Sequence, residues 1–541
     1  MKLNRYKYIL GVFALALLSS CDFEDVNTNF LEATDEDLTK DGLAVGAPIT
    51  SMQRCVFSVG TAADDINVIN QYQLAYHLSA DCWSGYFSQN NTWRNGNCNV
   101  NYFLLEDWVS ASFTESYTNI LPLWKQVKME SEKLDLPDAF ALAQILKISA
   151  WHKATDMFGP IPYKQAGENM LVVPYDSQEE VYKSFFTDLT AAIDVLTDRA
   201  AQGTLLPKYD AVYGGDITKW VKYANSLLLR LAMRVRYVAP DLAQKYAEQA
   251  VNHPIGVMTA KEDAAQLSTG AGLQFINNIW KFSEDYQEAR MGSSMFAYLA
   301  GYVDPRIKAY FKETNSYWNG VEVGKFGQYL AIPAGHDKKQ EQSGDFFDSS
   351  APNIEKTTPS YWMKASEVYF LRAEGALQGW NMNGTDSELY KQGITMSFEE
   401  NGISIDQVDG YMNSGKKPVA YEWNSYPRVN HPAPSQATVA YEGDNEQKLE
   451  KIIIQKWISM YPNGQEAWTE WRRTGYPKLH PVLVNNGSAQ GITKEEGIRR
   501  MIYPVNKNAS QADKENLNKA IEMLGTGGDK ATTKLWWDKK N

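Results

Sequence analysis

Residues 81–101 gather the side chains best suited to meeting a ligand. Trp83, Tyr86, Phe87 and Trp93 are interleaved there with Asn90, Asn91, Arg94 and Asn95. Flat aromatic rings cover the apolar C–H faces of a sugar ring, while amides and guanidinium groups bond its hydroxyl edges. The stretch therefore predicts a ligand surface of Trp83, Tyr86 and Trp93, with Asn91 bonding hydroxyls. Tyr317, Trp318 and Asn319 repeat the combination further along. Both clusters also fit a packing role: tryptophan is well buried on average, an Asn-rich loop can simply turn, and a hydrophobic plug can sit beneath a loop.

A third group, Glu466, Glu470, Arg472 and Arg473, puts carboxylates and guanidinium groups close together. That spacing suits a structural ion-pair network at a helix better than acid–base catalysis. Neither Gly-x-Ser-x-Gly nor His-Glu-x-x-His occurs, and no carboxylate pair stands out as a glycosidase would need. A surface hydrolase is the alternative from another class, and a scaffold acting only through protein contacts is a third. No metal or cofactor site is expected, because there is no Cys-x-x-Cys and His77, His152, His253, His336, His431 and His480 are scattered. Asp64 and Asp65 lack the dense oxygen spacing of a calcium loop and fit a solvated helix cap better.

Helices must position these groups. After Pro174, the apolar positions Tyr182, Phe185, Phe186, Leu189, Ile193 and Leu196 step by three and four, and Ser177 with Glu180 predicts a capping box. A second amphipathic run covers 217–238 and stops before Pro240. Others are expected over 138–156, 359–380, 387–400 and 448–460. Small residues such as Ala224, Ala232, Ala373 and Gly375 fall where partners would touch, which suggests stacked helix hairpins. The fold class is therefore mainly α, with divergent tetratricopeptide-like repeats. Long Gly-, Asn- and Pro-rich stretches (82–101, 253–275, 312–358, 401–446) supply a loop-rich ligand-binding face.

Lys2, Arg5 and Lys7 precede an apolar run from Ile9 to Leu18, then Ser19, Ser20 and Cys21. This is the order of an export signal, too short to span a bilayer. Leu-Ser-Ser-Cys resembles a lipobox, so Cys21 is expected to carry acyl chains and become the mature N-terminus. Asp22, Glu24 and Asp25 resemble the acidic signal that sends lipoproteins of some Gram-negative bacteria to the cell surface. The expected organisation is a signal peptide over 1–20, a lipidated tether over 21–45 and one helical domain over 46–541. Cys55, Cys82 and Cys98 remain, either as one bridge, with Cys82 and Cys98 the natural pair, or as three buried thiols. The 541 residues are 44% hydrophobic and carry a net charge of −12, which excludes a disordered chain and a general nucleic-acid binder.

Five phrases in order then carry a resemblance: the lipobox at Cys21, LAYHLSADCW (74–83), Asp304-Pro305-Arg306, YFLRAEGALQG (369–379) and KWISMYPNGQEAWTEWRRTGYPKL (456–479). Together they resemble the SusD/RagB family of nutrient-binding outer-membrane lipoproteins. The resemblance implies four tetratricopeptide-like hairpins, no catalysis, and a SusC-like TonB-dependent transporter as partner. It also implies an oligosaccharide cargo, or a peptide in some relatives.

Overall fold

Leu43–Val56 (α1) opens the body, and Asp65–Tyr72 (α2) runs directly into a wide π-helical stretch, Gln73–Asp81. After the short helix Glu106–Phe113, the longer helices are Leu121–Leu134 (α3), Pro137–Phe158 (α4), Gln178–Arg199 (α5), Ile217–Arg234 (α6) and Pro240–Val251 (α7). Ala365–Leu377 (α8), Asp386–Glu400 (α9), Asn445–Ser459 (α10) and Gly464–Thr474 (α11) follow the long loop region. This is a computed structural model, describing residues 42–62, 65–314, 317–318, 321–322, 329–338, 346, 348–423 and 428–540. Residues 45–541 form one unit. Cys21, the signal and most of the tether lie outside the described residues.

The helices pack in sequence: α3 on α4, α4 on α5, α5 on α6, α6 on both α7 and α8, then α8 on α9 and α10. The fold is therefore mainly α and built of tetratricopeptide-like hairpins, as expected. Capping explains the boundaries. Ser177 accepts from the Glu180 N–H, but the Glu180 carboxylate turns away to Lys164 and Lys183, so only half of the expected capping box forms. Thr385 with Glu388 and Asp444 with Gln447 make complete boxes at α9 and α10. The run expected over 217–238 ends at Arg234, and Pro240 opens the next helix instead, because its missing N–H costs nothing in a first turn. The start expected at 359 fails for a different reason. Ser360–Met363 is a strand paired with Ala265–Leu267, and the helix begins only at Ala365.

The core is aromatic. Trp220, Trp457 and Trp468 are among its largest fully buried side chains. Much of the aromatic content therefore fills the interior of a large helical body, leaving fewer rings for a ligand than the composition suggests. Two-stranded ribbons brace the loops: Phe87–Gln89 pairs antiparallel with Ala289–Met291, and Tyr421–Trp423 with Val429–His431.

Candidate functional site

Gly85 turns the chain out of the π-helical stretch at φ +80°, where a Cβ would press on Ser294 and Leu479. Strand Phe87–Gln89 then pairs with Ala289–Met291 in a register that places Asn90 beside Glu288; the Asn90 N–H donates to the Glu288 carbonyl at 3.1 Å. The Glu288 carboxylate accepts from Gln73 Nε2 at 2.7 Å on one oxygen and from Asn91 Nδ2 at 3.4 Å on the other. Nearby in sequence, the Tyr286 hydroxyl donates to Asn70 Oδ1 at 3.0 Å, and Lys281 stands 5.7 Å above the Tyr286 ring.

Asn70 and Gln287 are exposed, Asn91 and Tyr286 half-buried, and Glu288 only 7% exposed. Burial raises the Glu288 carboxyl pKa, and the Gln73 and Asn91 amides with His77 pull against it. The result is an aromatic ring flanked by fixed amides and one carboxylate. Such a patch can stack a ring and exchange hydrogen bonds with hydroxyls.

The residues expected from sequence separate on this geometry. Asn91 belongs to the patch. Trp93 is half-buried, edge-on to Trp108 at 6.2 Å, with its indole N–H buried and unpartnered among the described residues. Tyr86 is a correction: it is fully buried, its hydroxyl donates to the Trp457 carbonyl, and it offers no surface to a ligand. Trp83 is a correction as an open stacking platform. It is 7% exposed, donates to the Asn99 carbonyl at 2.8 Å, and packs on Trp468 at 5.0 Å. Both are drawn inward because the stretch threads between α10, α11 and the body. Tyr317–Trp318 forms a strand paired with Val321–Glu322, a hairpin whose side chains lie outside the described residues. The calcium question at Asp64–Asp65 falls on Asp64 and the Asp65 side chain, which also lie outside them.

The Cys82–Cys98 bridge does not form. Cys55, Cys82 and Cys98 are free thiols; Cys82 donates to the His77 carbonyl at 3.2 Å, and burial pushes the Cys98 thiol up to about 11. Glu466, Glu470, Arg472 and Arg473 are at most 3% exposed. Arg473 bonds both Glu374 and Glu470, while Arg234 bonds Glu466 and Glu470, in a closed internal network.

A family model described as SusD-like, Susd and RagB outer membrane lipoprotein, matches residues 25–538. The chain belongs to this family. Among solved structures, it is similar to a chitin-binding SusD homologue from Flavobacterium johnsoniae (35% identity, TM-score 0.84, covering 92% of this chain and 99% of that one). SusD homologues from Bacteroides ovatus (33%, TM-score 0.82, 92% and 100%) and Bacteroides vulgatus (30%, TM-score 0.83, 94% and 99%) are similar throughout as well. No curated protein matches. SusD-like proteins bind substrates and are not enzymes, which sets the hydrolase alternative aside. The family is one of outer-membrane lipoproteins, and no described helix is long and apolar enough to cross a membrane.

Two of the phrases that carried the resemblance meet in space. Gly464, at the start of α11, packs so closely on Asp81 that a Cβ there would collide with its backbone and carboxylate, and Asp81 bonds His77 at 3.1 Å. Sequence reasoning missed Asn70, Gln73, Tyr286 and Glu288. The run Asp285-Tyr286-Gln287-Glu288 has the same aromatic-plus-polar make-up as residues 81–101, but it lies between the long stretches inspected for a site.

Proposed function

We propose that this lipoprotein captures a neutral oligosaccharide at the Asn70, Asn91, Tyr286 and Glu288 patch and delivers it to a SusC-like TonB-dependent transporter. In this reading the acylated Cys21 holds the body on the outer face of the outer membrane. The observation that carries the proposal is the Glu288 carboxylate, which holds the Asn91 and Gln73 amides before any ligand arrives, two residues along from Tyr286 with its own amide partner Asn70. Preorganised amides next to a ring suit sugar hydroxyls and C–H faces, since little ordering cost remains at binding. The chitin-binding homologue supports a glycan cargo over a peptide. The Trp318 hairpin and Trp93 are proposed as further walls of the same surface.

Calorimetric titration of residues 22–541 with N-acetylglucosamine oligomers, other neutral oligosaccharides and peptides tests this. Saturable binding of one glycan class is expected, weakened about tenfold by Tyr286→Ala, the equivalent of about 1.4 kcal/mol. Binding of peptides alone, or glycan binding indifferent to Tyr286→Ala, overturns it. A TonB-dependent barrel is expected to co-purify from outer membranes.

A further inference from the structure

A cavity of about 170 Å³ lies between residues 82–102, α11 and the segment 479–498. Its walls include Trp83, Tyr102, Trp468, Trp471, Leu479 and Val482, and the exposed Lys494 and Glu495 stand among the residues around it. The volume is near that of an engineered apolar cavity of about 150 Å³ that takes up benzene, so a single ring fits.

Several polar groups of the wall are committed elsewhere. Trp83 and Trp468 spend their indole N–H groups on the Asn99 and Ile498 carbonyls, at 2.8 and 3.1 Å. The carbonyls of Ala334 and Gly335 accept from Leu483 and Val484, and the Gly85 carbonyl accepts from Met295. Ser88 donates to the Pro333 carbonyl at 2.9 Å, and Ser294 accepts from the His480 N–H at 2.9 Å. The Tyr102 hydroxyl, the Trp471 N–H and the buried His480 Nε2 make no hydrogen bond among the described residues. A pyranose enclosed here would leave most of its hydroxyls unpaired, and each buried unpaired hydroxyl weakens binding.

We infer that this cavity is a second binding site, separate from the glycan patch, for a small aromatic ring bearing one polar substituent that meets Tyr102 or Trp471. The ring lies against the tryptophan and leucine side chains of the wall, and any charged tail remains near Lys494 and Glu495.

Ligand-observed NMR and calorimetry on residues 22–541 test it with p-cresol as the aromatic probe and methyl β-glucoside as the sugar probe. Saturable p-cresol binding is expected, with methyl β-glucoside at least tenfold weaker. Ala334→Phe and Val482→Phe, which fill the space, are expected to weaken p-cresol at least tenfold, and the melting temperature checks that each variant is folded. Tyr286→Ala is expected to leave p-cresol binding unchanged, so the outcome is independent of the glycan patch. The inference is overturned if p-cresol does not saturate, if it binds both folded cavity-filling variants as well as the parent, if the glucoside binds better, or if Tyr286→Ala abolishes binding.

Discussion

The ion network around α11 and the patch around Glu288 use the same side-chain types with opposite results. In the network, burial pushes the Glu470 carboxyl pKa up, but Arg473, Lys456 and Arg234 overcome it and hold the group well below the usual carboxylate range. Every carboxylate there has a cation within bonding distance, such as Lys456 on Glu470 at 2.9 Å, while Arg472 bonds only neutral oxygens. At the patch, Glu288 has only amides as direct partners, so burial wins and its pKa rises. Carboxylates all paired with cations have little capacity left for a ligand, whereas one held only by neutral donors retains some. Compensation, more than composition, separates scaffold from site.

The largest effect should come from breaking the network. Arg473→Met leaves Glu374 and Glu470 short of their shared partner inside the protein, and truncating one member of a buried ion pair costs about 3–5 kcal/mol. Denaturant unfolding should show that loss, while Tyr286→Ala at the patch should cost less than about 1 kcal/mol. Equal costs for the two variants would erase the distinction.

The scaffold was legible in sequence because helices announce themselves through period, as Tyr182 to Leu196 do on one face of α5. The site was only partly legible. Asn91 falls in the proposed patch, but Trp83 and Tyr86 look like ligand platforms by residue type and are taken into the core by contacts with Trp468 and Trp457, far away in sequence. Glu288 was invisible for the converse reason: its partners Gln73 and Asn91 are brought to it by a short ribbon whose register no local pattern predicts. The likeness in the 456–479 phrase marked α11, whose Glu466, Glu470 and Arg473 are spent on the scaffold.

A smaller effect should appear on acidification, and it sharpens the comparison by exposing uncompensated histidines. Burial lowers the His480 pKa to about 3, helped by the His431 ring stacked 4.8 Å away, and burial lowers His336 to about 4. Each is neutral in the folded protein and protonates at ordinary values once unfolded, so the unfolded chain binds more protons in this window. Their stabilising contribution is complete above about pH 6.5 and is lost as pH falls toward the folded values, by about 1.4 kcal/mol per pH unit for each histidine. His480→Phe keeps a ring on His431 and should flatten the stability profile between pH 6 and 4 relative to the parent. An unchanged slope would mean that His480 is not the group responsible.

The smallest effect on stability belongs to Glu288→Gln, and its size decides whether the patch is a site or another piece of frame. Because the folded pKa is raised, the parent carboxyl contributes stability that is full below its ordinary carboxylate range and is lost as pH rises through the raised value. The glutamine variant lacks that dependence, gives up one of two acceptor positions, and should stay within about 1 kcal/mol of the parent at neutral pH. Its glycan affinity should nevertheless fall several-fold, because Asn91 and Gln73 can no longer both be held on one side chain. Unfolding curves across pH, paired with calorimetry, measure both quantities. A loss of several kcal/mol would place Glu288 with Glu470 as a structural charge. Unchanged affinity would remove it from the binding surface and leave Tyr286 and Asn70 to carry the patch.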